Sequence, residues 1–308
     1  MMSRPLHNSR PNVTALINII KLISIEATAW FKYKKVLVFV IGEGLRTMEK
    51  KKLAFLGCGF LNEIVANALH NGYLPEYELV GAFGRNPVRT TTFAERHNCM
   101  ACYSMEELLA LKPDIIAEAA SPQAVGEYSE TILKGGASLV VLSIGAFADA
   151  ALYNRVRETA AENNQKVYIA SGAVGGFDVL RTAALMSPIK ATMTSKKSLR
   201  SLFYTPLFKE ELMNITEPEQ VFSGNTKEAI EMLPFHFNVA VATALASAGP
   251  ERTTLNIDAV PGFVGDEYKI EIEGGEVKTD LNIYSRTSNI AGWSVVAVLR
   301  NIVSPIVF

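Results

Sequence analysis

The sequence predicts an α/β protein: a Rossmann-type, doubly wound parallel sheet followed by a second α+β domain with a mixed or antiparallel sheet. Two observations predict it. Between Met48 and Ser171 short apolar runs alternate with stretches of helical spacing across short loops, and that alternation calls for parallel strands joined by crossover helices. Beyond Gly176 apolar side chains recur at every second position, as in strands with one wet face. Composition permits such a core, since 49% of the 308 residues are hydrophobic and only 20% are charged, which excludes wholesale disorder.

Residues 1–47 differ in character. Val13 to Ile25 is apolar but broken by Lys21, and Lys32, Lys34 and Lys35 follow. A spanning helix needs about 20 predominantly apolar residues, so no transmembrane segment is expected, and no small-residue cleavage site marks a signal peptide. The run from Val36 to Gly44 imitates a first Rossmann strand with a GxG turn, but Leu45-Arg46-Thr47 leads into a second lysine-rich strand start instead of a helix. The expectation is that Met48 is the natural start and that the leader is not native, with an amphipathic membrane anchor as the rival.

From Met48 the elements come in order. Leu53–Leu56 is a buried strand, Gly57-Cys58-Gly59 a turn, and Phe60 to His70 a helix with Leu61, Ile64, Val65, Ala68 and Leu69 on one stripe. Asn71-Gly72 closes it as a left-handed cap. Glu78–Phe83 is the second strand, Gly84 to Pro87 a turn and Val88–His97 a helix. Ser104 with Glu107 three residues later reads as a capping box. Strands at Pro113–Glu118, Ser138–Leu142 and Lys166–Ala170 then alternate with helices at Gln123–Lys134 and Asp149–Asn163. In the second half, Leu255–Ala259 and Tyr268–Glu273 alternate with period two, Asn225–Met232 and Phe237–Ala248 are helical, and Trp293–Ile302 is a final apolar helix.

Thirty basic and thirty-one acidic side chains nearly cancel, which leaves no electrostatic footprint for nucleic acid or an anionic membrane. Cys58, Cys99 and Cys102 are too few for a disulfide framework, so a reducing, cytoplasmic setting is expected. Cys99 and Cys102 form a lone CxxC with no second ligand pair for zinc. They are expected to be small, half-buried apolar side chains, and no metal is expected.

The segment Gly57-Cys-Gly59-Phe60-Leu61-Asn62 matches a dinucleotide fingerprint with asparagine in place of its third glycine. The first glycine permits the tight turn, the second admits a pyrophosphate, and the third eases helix-on-strand packing. Asn62 is therefore expected to loosen the motif while leaving the helix N-terminus free for an anion. At the end of the second strand an NAD-preferring site places a carboxylate on the ribose. Here Gly84, Arg85 and Asn86 stand there, so repulsion of a 2′-phosphate is absent and Arg85 offers a matching fork. NADP(H) is the expected cofactor, with NAD(H) as the alternative; a solvated turn is the competing assignment for Arg85.

Three stretches now resemble the L-aspartate dehydrogenase family: Ile116-Ala-Glu-Ala-Ala-Ser-Pro-Gln-Ala-Val125, Ile169-Ala-Ser-Gly-Ala-Val-Gly-Gly-Phe-Asp178 and Asn238-Val-Ala-Val-Ala-Thr-Ala-Leu-Ala-Ser247. Ser143 to Asp149 is similar to the family's loop after the fifth strand. The resemblance runs from about Lys51 to Ile302. It implies interconversion of L-aspartate and iminoaspartate with NAD or NADP, feeding nicotinamide cofactor synthesis, in a homodimer formed through the second domain. By the same resemblance Ala119, Ala120, Ser121 and Asn238 would touch the cofactor, and Ser171, Gly172 and Ala173 would line the wall near nicotinamide and substrate. Asn238 would also reach the substrate. Lys197 would face a substrate carboxylate, unless it is a solvated loop lysine. The family's Asp-Pro and Asn-x-His are replaced by Val260-Pro261 and Asp266-Glu267-Tyr268, which puts Tyr268 where the active-site histidine is expected. Phenol is a poor base at neutral pH unless a cation lowers its pKa. His236 is the alternative proton carrier, or else a packed core histidine. By this division residues 1–47 are the leader, 48–171 the dinucleotide-binding domain, 172–286 the substrate and dimerisation domain, and 287–308 a C-terminal helix returning to the first domain. Three functions follow: an aspartate dehydrogenase, the same fold acting on another small oxo or imino acid, and a non-catalytic cofactor-binding paralogue.

Overall fold

The computed structural model describes residues 37–40, 45–232 and 238–308. At the N-terminal side, Leu37–Val40 (β1) pairs antiparallel with Leu45–Met48 (β2), with Leu37 opposite Met48. The GxG of this region, residues 42–44, lies outside the described residues. This hairpin belongs to one unit, Met1–Lys50, and the remaining chain, Lys51–Phe308, forms another.

In the larger unit, six parallel strands form the first sheet: β3 (Lys51–Leu56), β4 (Tyr77–Phe83), β5 (Met100–Cys102), β6 (Ile115–Glu118), β7 (Ser138–Val141) and β8 (Val167–Ile169). Their order is β5-β4-β3-β6-β7-β8, so the direction of winding reverses between β3 and β6. The period of two in β3 is resolved on both faces. Ala54 and Leu56 pack with Ile116, Leu139 and Val141 under helices α3 (Met105–Ala110), α4 (Pro122–Lys134) and α5 (Ala150–Glu162). Leu53 and Phe55 pack on the opposite face under α1 (Phe60–His70) and α2 (Pro87–His97). The edge strand β5 was not expected from the sequence. It is three residues long and carries half of the CxxC, which hid its alternation.

The second sheet has the order β10-β11-β9-β12-β13. Its strands are β9 (Lys190–Ser198), β10 (Glu219–Asn225), β11 (Thr253–Val260), β12 (Asp266–Glu273) and β13 (Lys278–Ser285). β11 runs parallel to β9 and the other pairings are antiparallel, so the sheet is mixed. Met193, Leu255, Ile257, Ile270 and Ile272 turn to one face and are covered by α6 (Phe177–Met186), α7 (Leu199–Leu202), α8 (Thr226–Met232) and α9 (Asn238–Leu245). The other face carries Lys196, Glu267, Lys269 and Asp280 in ion pairs. Neither α6 nor the outer strands β10 and β13 were expected. β13 has no fully buried residue to reveal its period.

The last helix, α10 (Asn289–Val303), returns to the first sheet. Val295, Val296 and Leu299 share the apolar cluster of Leu53 and Phe55, and the buried Tyr77 hydroxyl donates to the Leu299 carbonyl at 2.7 Å. Among the described residues no helix is long and apolar enough to cross a membrane.

Candidate active site

The glycine loop between β3 and α1 is built for close approach. Gly57 has φ +104°, and a Cβ there would stand 2.8 Å from the Ala119 carbonyl oxygen and 3.0 Å from Ala120 Cα. Any side chain would therefore drive apart the loops that follow β3 and β6, at the point where the sheet reverses. Gly59 meets nothing within 4 Å, and as N-cap of α1 it offers no side-chain acceptor. The amides of Phe60, Leu61 and Asn62 thus keep the unsatisfied donors of a helix start, which suits a pyrophosphate. Phe60 is exposed and Leu61 half-buried.

Asn62 corrects the sequence expectation. Its side chain is fully buried, and Nδ2 donates to the Gly57 carbonyl at 2.7 Å and to the Leu56 carbonyl at 3.2 Å. The asparagine staples the loop to its helix and so tightens the motif.

At the end of β4, Arg85 is exposed and Asn86 caps α2, its Oδ1 accepting from the Arg89 amide at 3.0 Å. A cavity of about 660 Å³ opens beside them, lined by Gly59, Phe60, Asn86, Arg89 and Arg96 among others. Arg85 is outside that lining. Arg96 is paired with Glu63 at 2.9 Å, which leaves Arg89 as the cavity's guanidinium without a carboxylate partner among the described residues. Sequence reasoning missed Arg89; the signal was Pro87, which starts the helix and brings position 89 into its first turn.

Across the reversal point, Glu118 ends β6 with no exposed surface. Its Oε1 accepts from the amides of Ala120 (2.7 Å) and Ser121 (3.1 Å), and its Oε2 from those of Ser143 (2.9 Å) and Leu142 (3.3 Å). Burial pushes its pKa up against these amides, which favour the anion. Ser121 itself caps α4 through the Ala124 amide. Asn238, at the start of α9, accepts from the Gly145 amide at 2.8 Å, so its oxygen ties α9, which covers the second sheet, to the loop after β7. Gly172 (φ +66°) donates its amide to Ser294 on α10, Ala173 packs against the second core, and Ser171 borders a separate cavity of about 850 Å³ with Tyr73, Arg300 and Phe308. His236 lies outside the described residues.

Lys197 and Tyr268 are brought together. On β9 and β12, Lys196 pairs with Glu267 and Ser195 with Tyr268, so Lys197 comes opposite Asp266 on the helix-covered face. Lys197 Nζ donates to Asp266 Oδ1 at 2.6 Å and to the Tyr268 hydroxyl at 3.1 Å. It is a strand lysine held in an ion pair, so the solvated-loop alternative is excluded. Tyr268 is buried among the residues that contact α9 and the Ala173 segment. Burial pushes the phenol's pKa up more than the Lys197 ammonium lowers it, with Asp266 adding to the rise. Burial lowers that of Lys197, but Tyr268 and Asp266 together outweigh it and leave it raised. At neutral pH the cluster therefore holds an ammonium and a neutral phenol. No group of three metal-ligating side chains occurs among the described residues.

Residues 57–170 match the model described as "Homoserine dehydrogenase, NAD binding domain", and residues 178–302 match "Aspartate dehydrogenase, C-terminal". An L-aspartate dehydrogenase of Methanosarcina barkeri is 32% identical over 267 residues, covering 83% of this chain and 98% of that relative. One of Methanococcus maripaludis is 30% identical over 265 residues with the same coverage. The crystal structure of aspartate dehydrogenase from Thermotoga maritima shares the fold, with a TM-score of 0.67 at 23% identity over 84% of this chain and 100% of that one. A glycine cradle at the reversal of a parallel sheet, joined to a helix-covered mixed sheet and matched by these relatives over nearly their whole length, places the chain in the L-aspartate dehydrogenase family, as an NAD-binding oxidoreductase.

Proposed function

We propose that the chain interconverts L-aspartate and iminoaspartate, with NADP(H) preferred over NAD(H). When bound, the nicotinamide supplies or accepts a hydride at the substrate's alpha carbon. The observation that carries the proposal is the Lys197–Asp266–Tyr268 cluster, which sets a cation and a proton donor on the face that α9 covers. Lys197 draws the substrate's carboxylate, Tyr268 donates a hydrogen bond or proton, and Asn238 holds the two domains in register. The preference for a 2′-phosphate rests on Gly84 in place of a carboxylate and on Arg89 in the cavity lining. The outward face of the second sheet is the proposed homodimer surface.

The Lys197–Asp266 contact also supports a second reading, a small oxo or imino acid with one carboxylate, because the ammonium is already neutralised. The test is an assay of the full chain with oxaloacetate, ammonia and NADPH, following loss of the reduced cofactor. Steady turnover is expected, reduced about 100-fold or more in Tyr268→Phe, the scale of a lost general acid. Cofactor binding with no turnover would refute the aspartate assignment and favour the second reading.

A further inference from the structure

Glu118 is a buried carboxylate that the proposed chemistry leaves unused. Four backbone amides donate to its two oxygens, and the Ser143 hydroxyl stands beside them. These donors fill both oxygens of the ionised group and favour the anion against burial, which pushes its pKa up. Among the described residues no lysine, arginine or histidine forms an ion pair with it. Amide dipoles stabilise the charge but do not cancel it, so a net negative charge stays buried at the end of β6.

Its position gives that charge a use. The four amides belong to two loops, one after β6 and one after β7. In a doubly wound sheet the dinucleotide lies across the reversal point, with one mononucleotide on each half. Gly57 and the first-turn amides of α1 mark the pyrophosphate's place, and the cavity beside Arg89 belongs to the β3–β5 half. The nicotinamide half then falls to the loops after β6 and β7, the ones Glu118 ties together. The oxidised nicotinamide ring carries a positive charge and the reduced ring none.

We propose that Glu118 is a positioning residue of the cofactor site that also biases it toward the oxidised, cationic ring. The proposal needs only a bound dinucleotide, whatever the substrate. A unit charge about 10 Å away through a medium of effective dielectric about 20 changes affinity roughly tenfold. The probes are the oxidised cofactor and its benzamide analogue, in which carbon replaces the ring nitrogen, giving a neutral ring of the same shape. Both are matched for the 2′-phosphate and titrated by competition against the fluorescent reduced cofactor. Wild type should bind the charged ring about tenfold tighter than the neutral one, and Glu118→Gln should close that gap. Glu118→Asp keeps the charge while straining the amide contacts, so it should weaken both ligands and retain the gap. Equal wild-type affinities would overturn the proposal without any variant having to fold. A gap that persists in Glu118→Gln, or a loss there that is equal for both ligands with the ratio intact, would also overturn it, since that is what a merely structural role gives. Failure of both probes to bind wild type would overturn it together with the cofactor site.

Discussion

Replacing Asn62 with glycine would restore the third glycine of the dinucleotide fingerprint, and the structure predicts that this destabilises the domain. The variant loses the Nδ2 bonds to the Gly57 carbonyl at 2.7 Å and the Leu56 carbonyl at 3.2 Å. Each is worth about 1 kcal/mol net in a buried setting. The Leu56 carbonyl keeps a second donor in the Ala119 amide, whereas Asn62 is the donor found for Gly57. Glycine in the first turn of α1 adds a few tenths of a kcal/mol over asparagine. One term opposes these: the buried Asn62 Oδ1 has no partner, and its removal recovers part of that desolvation cost. The net expectation is a loss of about 2 kcal/mol, or a Tm roughly 4–8 °C lower for a unit of this size. Urea and thermal denaturation measure it, and pyrophosphate-dependent cofactor affinity should weaken in parallel as Gly57 and Gly59 gain freedom. An unchanged or raised midpoint would show that the staple contributes nothing and that the glycine pattern was the better packing after all.

Four further outcomes are expected. Asp266→Asn removes the carboxylate 2.6 Å from Lys197 and should lower the KM for oxaloacetate about tenfold, the worth of one charge-assisted contact; an unchanged KM would take Lys197 out of the substrate site. Because the pKa values of Lys197 and Tyr268 are both raised, the cluster keeps its protons through neutrality. The rate of imine reduction should stay flat from about pH 6 to 9, without the limb near 6.5 that imidazole would give, and such a limb would point to a histidine. The same shift fixes a stability sign: the Lys197 contribution is complete below its unfolded pKa of about 10.4 and is lost as pH rises through the higher folded value. Burial pushes the thiols of Cys99 and Cys102 to about 12 and about 11, so both should react with thiol reagents at pH 8 far more slowly than free cysteine. Rapid labelling or stoichiometric zinc binding would revive a functional CxxC.

The first sheet was legible because a buried parallel strand must be apolar and its crossover helix must carry a stripe. Leu53–Leu56, Ile115–Glu118 and Ser138–Val141 show both. The missed elements lack that contrast: β5 is too short to show a period, and β13 is half-exposed along its length. The cradle was legible in Gly57, whose φ of +104° and contact with Ala119 admit no other residue type, while Gly59 meets nothing within 4 Å. The function of Asn62 was not, because its partners are backbone carbonyls that no side-chain pattern records. Glu118 escaped for the same reason, reading as the end of a strand until four amides were seen to converge on it. Lys197 and Asp266 stand 69 positions apart, and only the register of β9 on β12 makes them a pair.

That pairing bears on the departure at Tyr268. The Asn-x-His expected from the resemblance would leave Lys197 with neutral neighbours, a cluster of net charge +1. Asp266 and Tyr268 are two apart on one strand, so both face Lys197, and the exchange brings the cluster to zero. A neutral phenol then depends on the ammonium as a hydrogen-bond donor at 3.1 Å to polarise it, while Asp266 restrains that ammonium at 2.6 Å. Removing one unit of positive charge at about 6 Å from a substrate carboxylate, at an effective dielectric of about 20, costs that carboxylate up to ~3 kcal/mol. Hydride transfer depends chiefly on placement, so the exchange bears more on binding a second carboxylate than on the chemical step. On the proposed function, Asp266, more than Tyr268, is then the residue whose replacement should shift preference between aspartate and a monocarboxylate.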